Sequence, residues 1–165
     1  GFATFEPDFS GNSPTPDAKL AADYDIEGSD LGYRWNARQG HKALFPFGYG
    51  LSYTRFGSTG LSTNGRTATF TVTNRGERAG ATVAQLYLVS RSGLRKQRLV
   101  GFERVSLAAG ESRSVTLSID PRLLADWQAG QWSLPAGEYG FALGEHAESL
   151  GTPVTTRLAA RRWKR

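Results

Sequence analysis

Carboxylates are the residues of this sequence that come nearest to a catalytic pattern. Hydrolysis of a glycosidic bond, for instance, needs two carboxyl groups about 5 Å apart for retention of configuration, or further apart for inversion, one of them with a raised pKa. Glu111 and Glu138 each follow a turn glycine, where a polar residue is expected. Glu27 lies in the sequence ahead of an aromatic segment. Glu103 is the remaining candidate. The four form no convincing pair, so we predict no catalytic residue here and an inactive chain when it is isolated.

Other residue types that carry chemistry are equally sparse. The two histidines, His41 and His146, stand in turn contexts and are too few for a Ser-His-Asp site or a histidine-rich metal site. Residues 23–28 begin like a calcium loop, but the twelfth position is Arg34, where a bidentate carboxylate is required. Gly48-Tyr49-Gly50 lacks the Lys and Ser/Thr of a phosphate loop. We therefore predict neither a bound metal nor a cofactor.

The most distinctive segment is residues 44–56, Leu-Phe-Pro-Phe-Gly-Tyr-Gly-Leu-Ser-Tyr-Thr-Arg-Phe, which we call the aromatic elbow. Pro46 restricts the preceding residue to an extended conformation, while Gly48 and Gly50 can adopt positive φ. Five of the twelve residues from Phe45 onward are aromatic, which is more than a surface loop normally carries. The pattern therefore predicts a rigid bend whose rings are covered by other groups.

Downstream of the elbow the hydrophobic pattern is typical of short strands. Ala68, Phe70 and Val72 alternate with threonines, which predicts one half-buried strand. Residues 81–89 are apolar on both faces, which predicts cover outside the sandwich as well as inside it. We interpret residues 91–98 as a basic loop that precedes a strand.

A short helical turn is predicted to begin at Asp120-Pro121 and to end near Gly130, with Trp127 on its inner side. A strand is predicted to follow at residues 153–158. Six or seven short strands without βαβ alternation indicate an all-β, antiparallel β-sandwich. The proline-rich first 22 residues predict an extended N-terminal arm, and Phe2, Phe5 and Phe9 suggest that this arm docks on another surface.

These motifs resemble the C-terminal part of family 3 glycoside hydrolases, the β-glucosidases and their relatives. Glu27-Gly28 and Gly32-Tyr33-Arg34-Trp35 match the segment that leads to the elbow in that family, and the elbow matches the family's own bend in order and spacing. Asn36 and Ala109 depart from the usual aromatic and proline residues. The resemblance covers about residues 23–146. It implies a fibronectin type III-like (immunoglobulin-like) domain, in which Tyr139 would tie down a strand.

The resemblance also implies that the catalytic residues belong to other domains of the parent enzyme. In this family the nucleophilic Asp lies in an N-terminal barrel, and the acid/base Glu of three-domain members lies in the following α/β sandwich, so both would precede Gly1. We expect this chain to be the C-terminal accessory module of a retaining β-glucosidase that hydrolyses terminal β-D-glucosyl residues, or a related sugar such as xylose. Its partners would be the catalytic barrel and α/β sandwich domains of the same enzyme. The expected boundaries are 1–48 for the arm, 49–160 for the fibronectin type III-like domain and 161–165 for a basic tail.

The predicted interface with the catalytic domains belongs to the arm and the elbow. It consists of Tyr33, Arg34, Trp35, Phe45, Phe47, Tyr49 and Tyr53. An alternative function is an autonomous carbohydrate-binding β-sandwich, which would need several coplanar, exposed aromatic rings. The tryptophans to consider for such a platform are Trp35, Trp127, Trp132 and Trp163.

The length and composition of the chain predict a single domain that is a piece of a longer protein. The chain has 165 residues, begins with Gly1 and contains no Met, so we expect a processed or excised piece of a longer protein. Seven acids against Lys19 give residues 1–30 a charge of −6, which leaves +11 for the remainder of a chain whose net charge is +5. Because the cations are mostly dispersed, we predict neither nucleic-acid nor membrane binding. Absence of Cys selects no compartment, although a periplasmic or secreted parent is favoured over a cytoplasmic one.

Overall fold

Strands make up most of the regular structure of residues 30–164, which are the residues that the computed structural model describes. The predictions for Phe2, Phe5, Phe9 and residues 23–28 lie outside that range. One short helix, α1 (Tyr33–Gln39), precedes the strands, and a 3₁₀ turn (Pro121–Leu123) interrupts them. The strands are β1 (Phe56–Thr63), β2 (Thr67–Asn74), β3 (Gly80–Arg91), β4 (Leu94–Leu107), β5 (Ser112–Ser118), β6 (Asp126–Gln128), β7 (Gln131–Leu134), β8 (Gly137–His146), β9 (Ser149–Leu150), β10 (Val154–Leu158) and β11 (Arg161–Trp163).

Two antiparallel sheets enclose the core. The first has the strand order β1-β2-β5, and the second has the order β10-β8-β3-β4, with β9 paired to β8. A small third sheet has the order β11-β7-β6. Phe70 and Val72 from the first sheet meet Leu86, Leu88 and Phe141 from the second in one buried cluster. The predicted all-β, antiparallel sandwich is therefore confirmed.

Strand β2 shows why the alternating pattern predicts burial so well. Ala68, Phe70 and Val72 are buried, whereas Thr67 and Thr69 are exposed. Successive side chains of a strand point to opposite faces, so the apolar set enters the core together and the threonines face solvent together.

The prediction of a basic loop at residues 91–98 is wrong, because these residues belong to a β-hairpin. β3 continues to Arg91 and β4 begins at Leu94, so the connection is only Ser92-Gly93, with φ values of 50° and 80°. Positive φ at both positions suits a two-residue hairpin turn. The buried guanidinium of Arg98 donates hydrogen bonds to the carbonyl oxygens of Leu123 (3.0 Å) and Ala125 (3.3 Å). Arg98 can be buried in this strand because carbonyl oxygens accept hydrogen bonds from its guanidinium.

The helical turn at Pro121 is real but shorter than predicted. Asp120 caps it by accepting a hydrogen bond from the Arg122 amide (2.9 Å), and the turn ends at Leu123 rather than near Gly130. Trp127 consequently lies on strand β6 with 52% of its surface exposed, not on the inner side of a helix.

The C-terminal residues are paired rather than free. Arg161–Trp163 forms strand β11 against β7, within the segment predicted as a basic tail. The Trp163 ring stacks on Trp132, with 6.5 Å between centroids. Aromatic contact therefore explains why so basic a segment is held against the sandwich.

Two buried side chains fix the loops between strands. The Tyr139 hydroxyl donates to the Pro135 carbonyl (2.8 Å), which is the role expected for this tyrosine. Asn74 is fully buried, and its Oδ1 accepts a hydrogen bond from Thr54 Oγ1 (2.7 Å) at the end of the elbow. A Cβ at Gly76 would lie 2.2 Å from that same Oγ1, so only glycine permits this approach. The elbow is thereby joined to the sandwich at its C-terminal end.

Candidate functional site

The described part of the expected arm contains the helix α1. Helix α1 follows Gly32 and ends at Gly40. Gly40 has a φ of 74°, and its amide donates a hydrogen bond to the Asn36 carbonyl. Left-handed conformation is readily adopted by glycine, which makes this a common helix end. The arm therefore approaches the sandwich as a defined turn of helix.

Tyr33 attaches this helix to the outer face of the second sheet. Its hydroxyl accepts a hydrogen bond from the Leu99 amide (2.8 Å), and its ring stacks on Phe47 with 4.6 Å between centroids. Tyr33 also meets Tyr87 of β3 edge to face at 6.3 Å. Tyr87 is fully buried as a result, and burial raises its pKa. The predicted cover over the outer side of β3 thus comes partly from this chain itself.

The base of the elbow is fixed by hydrogen bonds to its backbone. The Ala147 amide donates to the Phe47 carbonyl (2.9 Å), and Gln85 Nε2 donates to the Gly48 carbonyl (3.1 Å). Gly48 has a φ of 83°, and a Cβ there would lie 2.2 Å from Gln85 Oε1. Glycine at this position therefore lets the backbone rest directly on a buried polar side chain.

The outer side of the elbow presents apolar groups to solvent. The exposed fractions are 90% for Leu44, 73% for Phe45, 91% for Leu51 and 96% for Tyr53. We call these four residues the elbow surface. Several large apolar side chains exposed within one short segment are typical of an interaction site. The prediction that the elbow rings are covered is therefore not met for Phe45 and Tyr53 in this chain.

The remaining predicted interface residues are intermediate in character. Arg34 and Trp35 are half-buried, and the guanidinium of Arg38 lies 4.5 Å from the Trp35 ring centroid. Tyr49 is 47% exposed and its ring meets His146 at 5.8 Å. The predicted set thus contains Tyr33 and Phe47, which stack on each other although Phe47 stays 48% exposed, and the more exposed Phe45 and Tyr53. Sequence reasoning left out Leu44 and Leu51, although they flank the aromatic motif within the same segment.

The carboxylates with shifted pKa values form hydrogen bonds and ion pairs that suit a structural role rather than that of a general acid. Glu111 accepts a hydrogen bond from the Ala108 amide (2.7 Å), which lowers its pKa, with Arg113 contributing in the same direction. Burial acts to raise the pKa of Asp126, but ion pairs with Arg91 (2.6 Å) and Lys96 (2.9 Å) outweigh it and lower the pKa. A general acid needs the opposite displacement. Glu103 and Glu138 are exposed on strands, and Glu27 lies outside the described residues.

Metal-ion clusters and membrane-spanning helices are absent from residues 30–164. This range holds no cluster of three or more His, Cys, Asp or Glu residues suited to a metal ion. None of its helices is long and apolar enough to cross a membrane.

The tryptophans away from the elbow stack on one another. Trp127 meets Trp132 at 5.2 Å with 70° between ring planes, and Trp132 meets Trp163 at 24°. We call Trp127, Trp132 and Trp163 the tryptophan cluster. Because Trp127 is steeply inclined to Trp132, and Trp132 and Trp163 are only partly exposed, the cluster offers no flat sugar-stacking platform.

Comparison with known proteins identifies the domain. Residues 82–147 match the family model described as a fibronectin type III-like domain. The chain is 35% identical to an exo-α-(1→6)-L-arabinopyranosidase from Bifidobacterium longum over 142 residues, covering 80% of this chain and 19% of that protein. It is 37% identical to a β-glucosidase from Rhizobium radiobacter over 145 residues, covering 80% of this chain and 18% of that protein.

A solved structure agrees with these relatives. The β-glucosidase 3B from Thermotoga neapolitana, in complex with glucose, superposes with a TM-score of 0.76 at 34% identity, over 85% of this chain and 21% of that one. The chain therefore spans about a fifth of the length of the relatives it matches.

Proposed function

Because this chain corresponds to the C-terminal fibronectin type III-like region of β-glucosidase-like enzymes of glycoside hydrolase family 3, we propose that it is an accessory module that docks on a catalytic body. The elbow surface is the docking face, and residues 1–48 form the connecting arm. The module supplies no catalytic group. Its role is to hold the catalytic domains together and to stabilise them.

The observation that carries this proposal is the one-sided exposure of the elbow. Tyr33, Phe47 and Gln85 hold its base against the sheet, while Leu51 and Tyr53 are more than 90% exposed. A free protein gains nothing from fixing apolar groups in water. Burial of such a side chain against a partner contributes about 1.5–3 kcal/mol before ordering costs are subtracted.

For the whole enzyme we propose hydrolysis of terminal β-D-glucosyl residues with retention of configuration. This rests on the β-glucosidases among the relatives. The arabinopyranosidase relative makes a pyranoside of arabinose the competing substrate. Both substrate classes are decided by residues of the catalytic body and not by the fibronectin type III-like region.

The proposal is tested by joining this chain to the polypeptide encoded upstream of it. We expect the coding frame to continue into a catalytic body and the native mass to be several times 17.9 kDa. The isolated chain should hydrolyse neither p-nitrophenyl β-D-glucopyranoside nor the α-L-arabinopyranoside, whereas the joined protein should hydrolyse one of them. An upstream frame without glycosidase activity would contradict the proposal.

Docking itself is tested by a double substitution, Leu51→Ser with Tyr53→Ser, in the joined protein. The matched control is Leu94→Ser at the tip of the β3–β4 hairpin, where the side chain is 75% exposed. We expect the double variant to lower the temperature at which the catalytic body loses activity and the control to leave it unchanged. Equal behaviour of the two variants would overturn docking through the elbow.

Calorimetry of the isolated chain with cello- and xylo-oligosaccharides distinguishes the carbohydrate-binding alternative. Absence of heat is the result expected for an accessory module. Measurable affinity that is lost on Trp127→Ala would instead favour an autonomous binding module.

A further inference from the structure

A groove of about 960 Å³ runs beside the elbow and differs from the elbow surface in its chemistry. The elbow backbone from Gly48 to Ser52 forms one wall, and the outer face of β3 with the end of β8 forms the other. Tyr49, Leu51 and Val83 supply exposed apolar side chains to this lining. The groove is therefore continuous with the proposed docking face.

Three arginines line the same groove. Arg55, Arg75 and Arg104 are all exposed, and Glu145 is the one acidic residue of the lining. We call this feature the arginine groove. Its formal charge is +2, because three guanidinium groups face a single carboxylate.

These arginines, like Arg66 and Arg157, form no ion pair with a carboxylate of residues 30–164. Arg38, Arg91, Arg113 and Arg122 each form an ion pair with an aspartate or glutamate of residues 30–164. No such pair involves the arginines of the groove within that range. The Arg104 guanidinium donates only to Ser106 Oγ at 3.3 Å. Their charge is therefore available to a partner.

One of them lies against strand β1. A Cβ at Gly57 would lie 2.5 Å from the Arg75 guanidinium carbon, so this guanidinium lies directly over the backbone of β1. Arg75 and Leu51 line the same groove.

We propose that the arginine groove receives an acidic strip of the catalytic body, with carboxylates opposite Arg75 and Arg104. This inference rests on the proposed function and deepens it, because it specifies the chemistry of the partner surface. Arginine suits the task, since its planar fork can pair with both oxygens of a carboxylate. A partner that covered Leu51 without offering acids would leave guanidinium groups buried and unpaired, which is costly.

The test uses the full chain and the separately produced catalytic body, with affinity measured by calorimetry at two salt concentrations. The charge-reversal variant is Arg75→Glu with Arg104→Glu, and the matched control is Arg157→Glu on β10, an exposed arginine outside the groove. We expect the double variant to weaken binding by on the order of tenfold at low salt and to reduce the salt dependence. The control should match the unmodified chain.

Each outcome has a definite meaning. Weakened binding for Leu51→Ser with Tyr53→Ser, but unchanged binding for the arginine variant, would overturn the groove inference and leave the proposed function standing. Unchanged binding for both would overturn both. Salt-sensitive retention on duplex DNA that the arginine variant loses, with binding to the catalytic body unaffected, would assign the groove to nucleic acid instead.

Discussion

The elbow and the tryptophan cluster are both rich in aromatic rings, but they use them in opposite ways. In the tryptophan cluster Trp132 contacts Trp127 on one side and Trp163 on the other, and it packs against the core. In the elbow Phe47 stacks on Tyr33 and Phe45 meets Tyr49 at 6.1 Å, while Tyr53 is 96% exposed. Rings that satisfy one another stabilise the fold, whereas fixed rings left in solvent indicate an absent partner.

The largest loss of stability is expected for Trp132→Ala in the tryptophan cluster. Removal of the middle ring leaves Trp127 and Trp163 without their shared neighbour, and we expect the free energy of unfolding to fall by about 3 kcal/mol. Urea unfolding monitored by tryptophan fluorescence measures this. A loss as small as that of a surface substitution would break the contrast between the two regions.

Tyr33 of α1 tests how the elbow is held, because its ring stacks on Phe47. Tyr33→Ala removes the stack on Phe47 and the acceptor for the Leu99 amide, and we expect a loss of about 2 kcal/mol. Tyr33→Phe keeps the ring and should lose about 1 kcal/mol. Hydrogen exchange of the Leu99 amide should accelerate in both variants, and unchanged protection would show that the arm does not anchor there.

Asp126 tests the contribution of ion pairs beside the tryptophan cluster, because it lies on β6 next to Trp127. Its pKa is depressed, so its ion pairs stabilise the fold above the unfolded-state pKa of about 3.9 and lose this effect as pH falls through the lower folded-state value. We expect Asp126→Asn to lose about 1 kcal/mol near pH 7 and to show a shallower loss of stability on acidification below about pH 4. Parallel acid-unfolding curves for the two proteins would contradict this.

The smallest effect is expected at Tyr53. Because this side chain contacts so little of the chain, Tyr53→Ser should change the free energy of unfolding by less than about 0.5 kcal/mol. Urea unfolding of the isolated chain provides the measurement. A clear destabilisation would mean that the ring has a structural contact, and the elbow surface would lose its distinction from the tryptophan cluster.

Much of the sandwich could be predicted because its signals are local. The alternation around Phe70 fixes which face of β2 is buried, and Asp120-Pro121 predicts the 3₁₀ turn through capping and a restricted φ. The motif of Tyr33 and the elbow also predicted the correct family of domains. Each of these inferences depends on neighbouring residues alone.

The errors occurred where a distant partner changed the meaning of a residue. Arg98 was assigned to a basic loop because a cation is normally exposed, but the carbonyl groups of Leu123 and Ala125 accept its hydrogen bonds inside the fold. Trp163 lies in the segment expected to be a basic tail, and Trp132 provides a ring for it to stack on. Neither partner is near in the sequence.

The sequence by itself indicated short antiparallel strands, the buried face of β2 and the presence of an aromatic bend, because periodicity and backbone restriction act over a few residues. Only the tertiary structure decided which aromatic rings face inward. Tyr33 contacts both Phe47 and Tyr87 because the chain returns across the second sheet, whereas Leu51 and Tyr53 lie in solvent. Burial is a property of surfaces brought together from distant parts of the chain, so no local pattern specifies it.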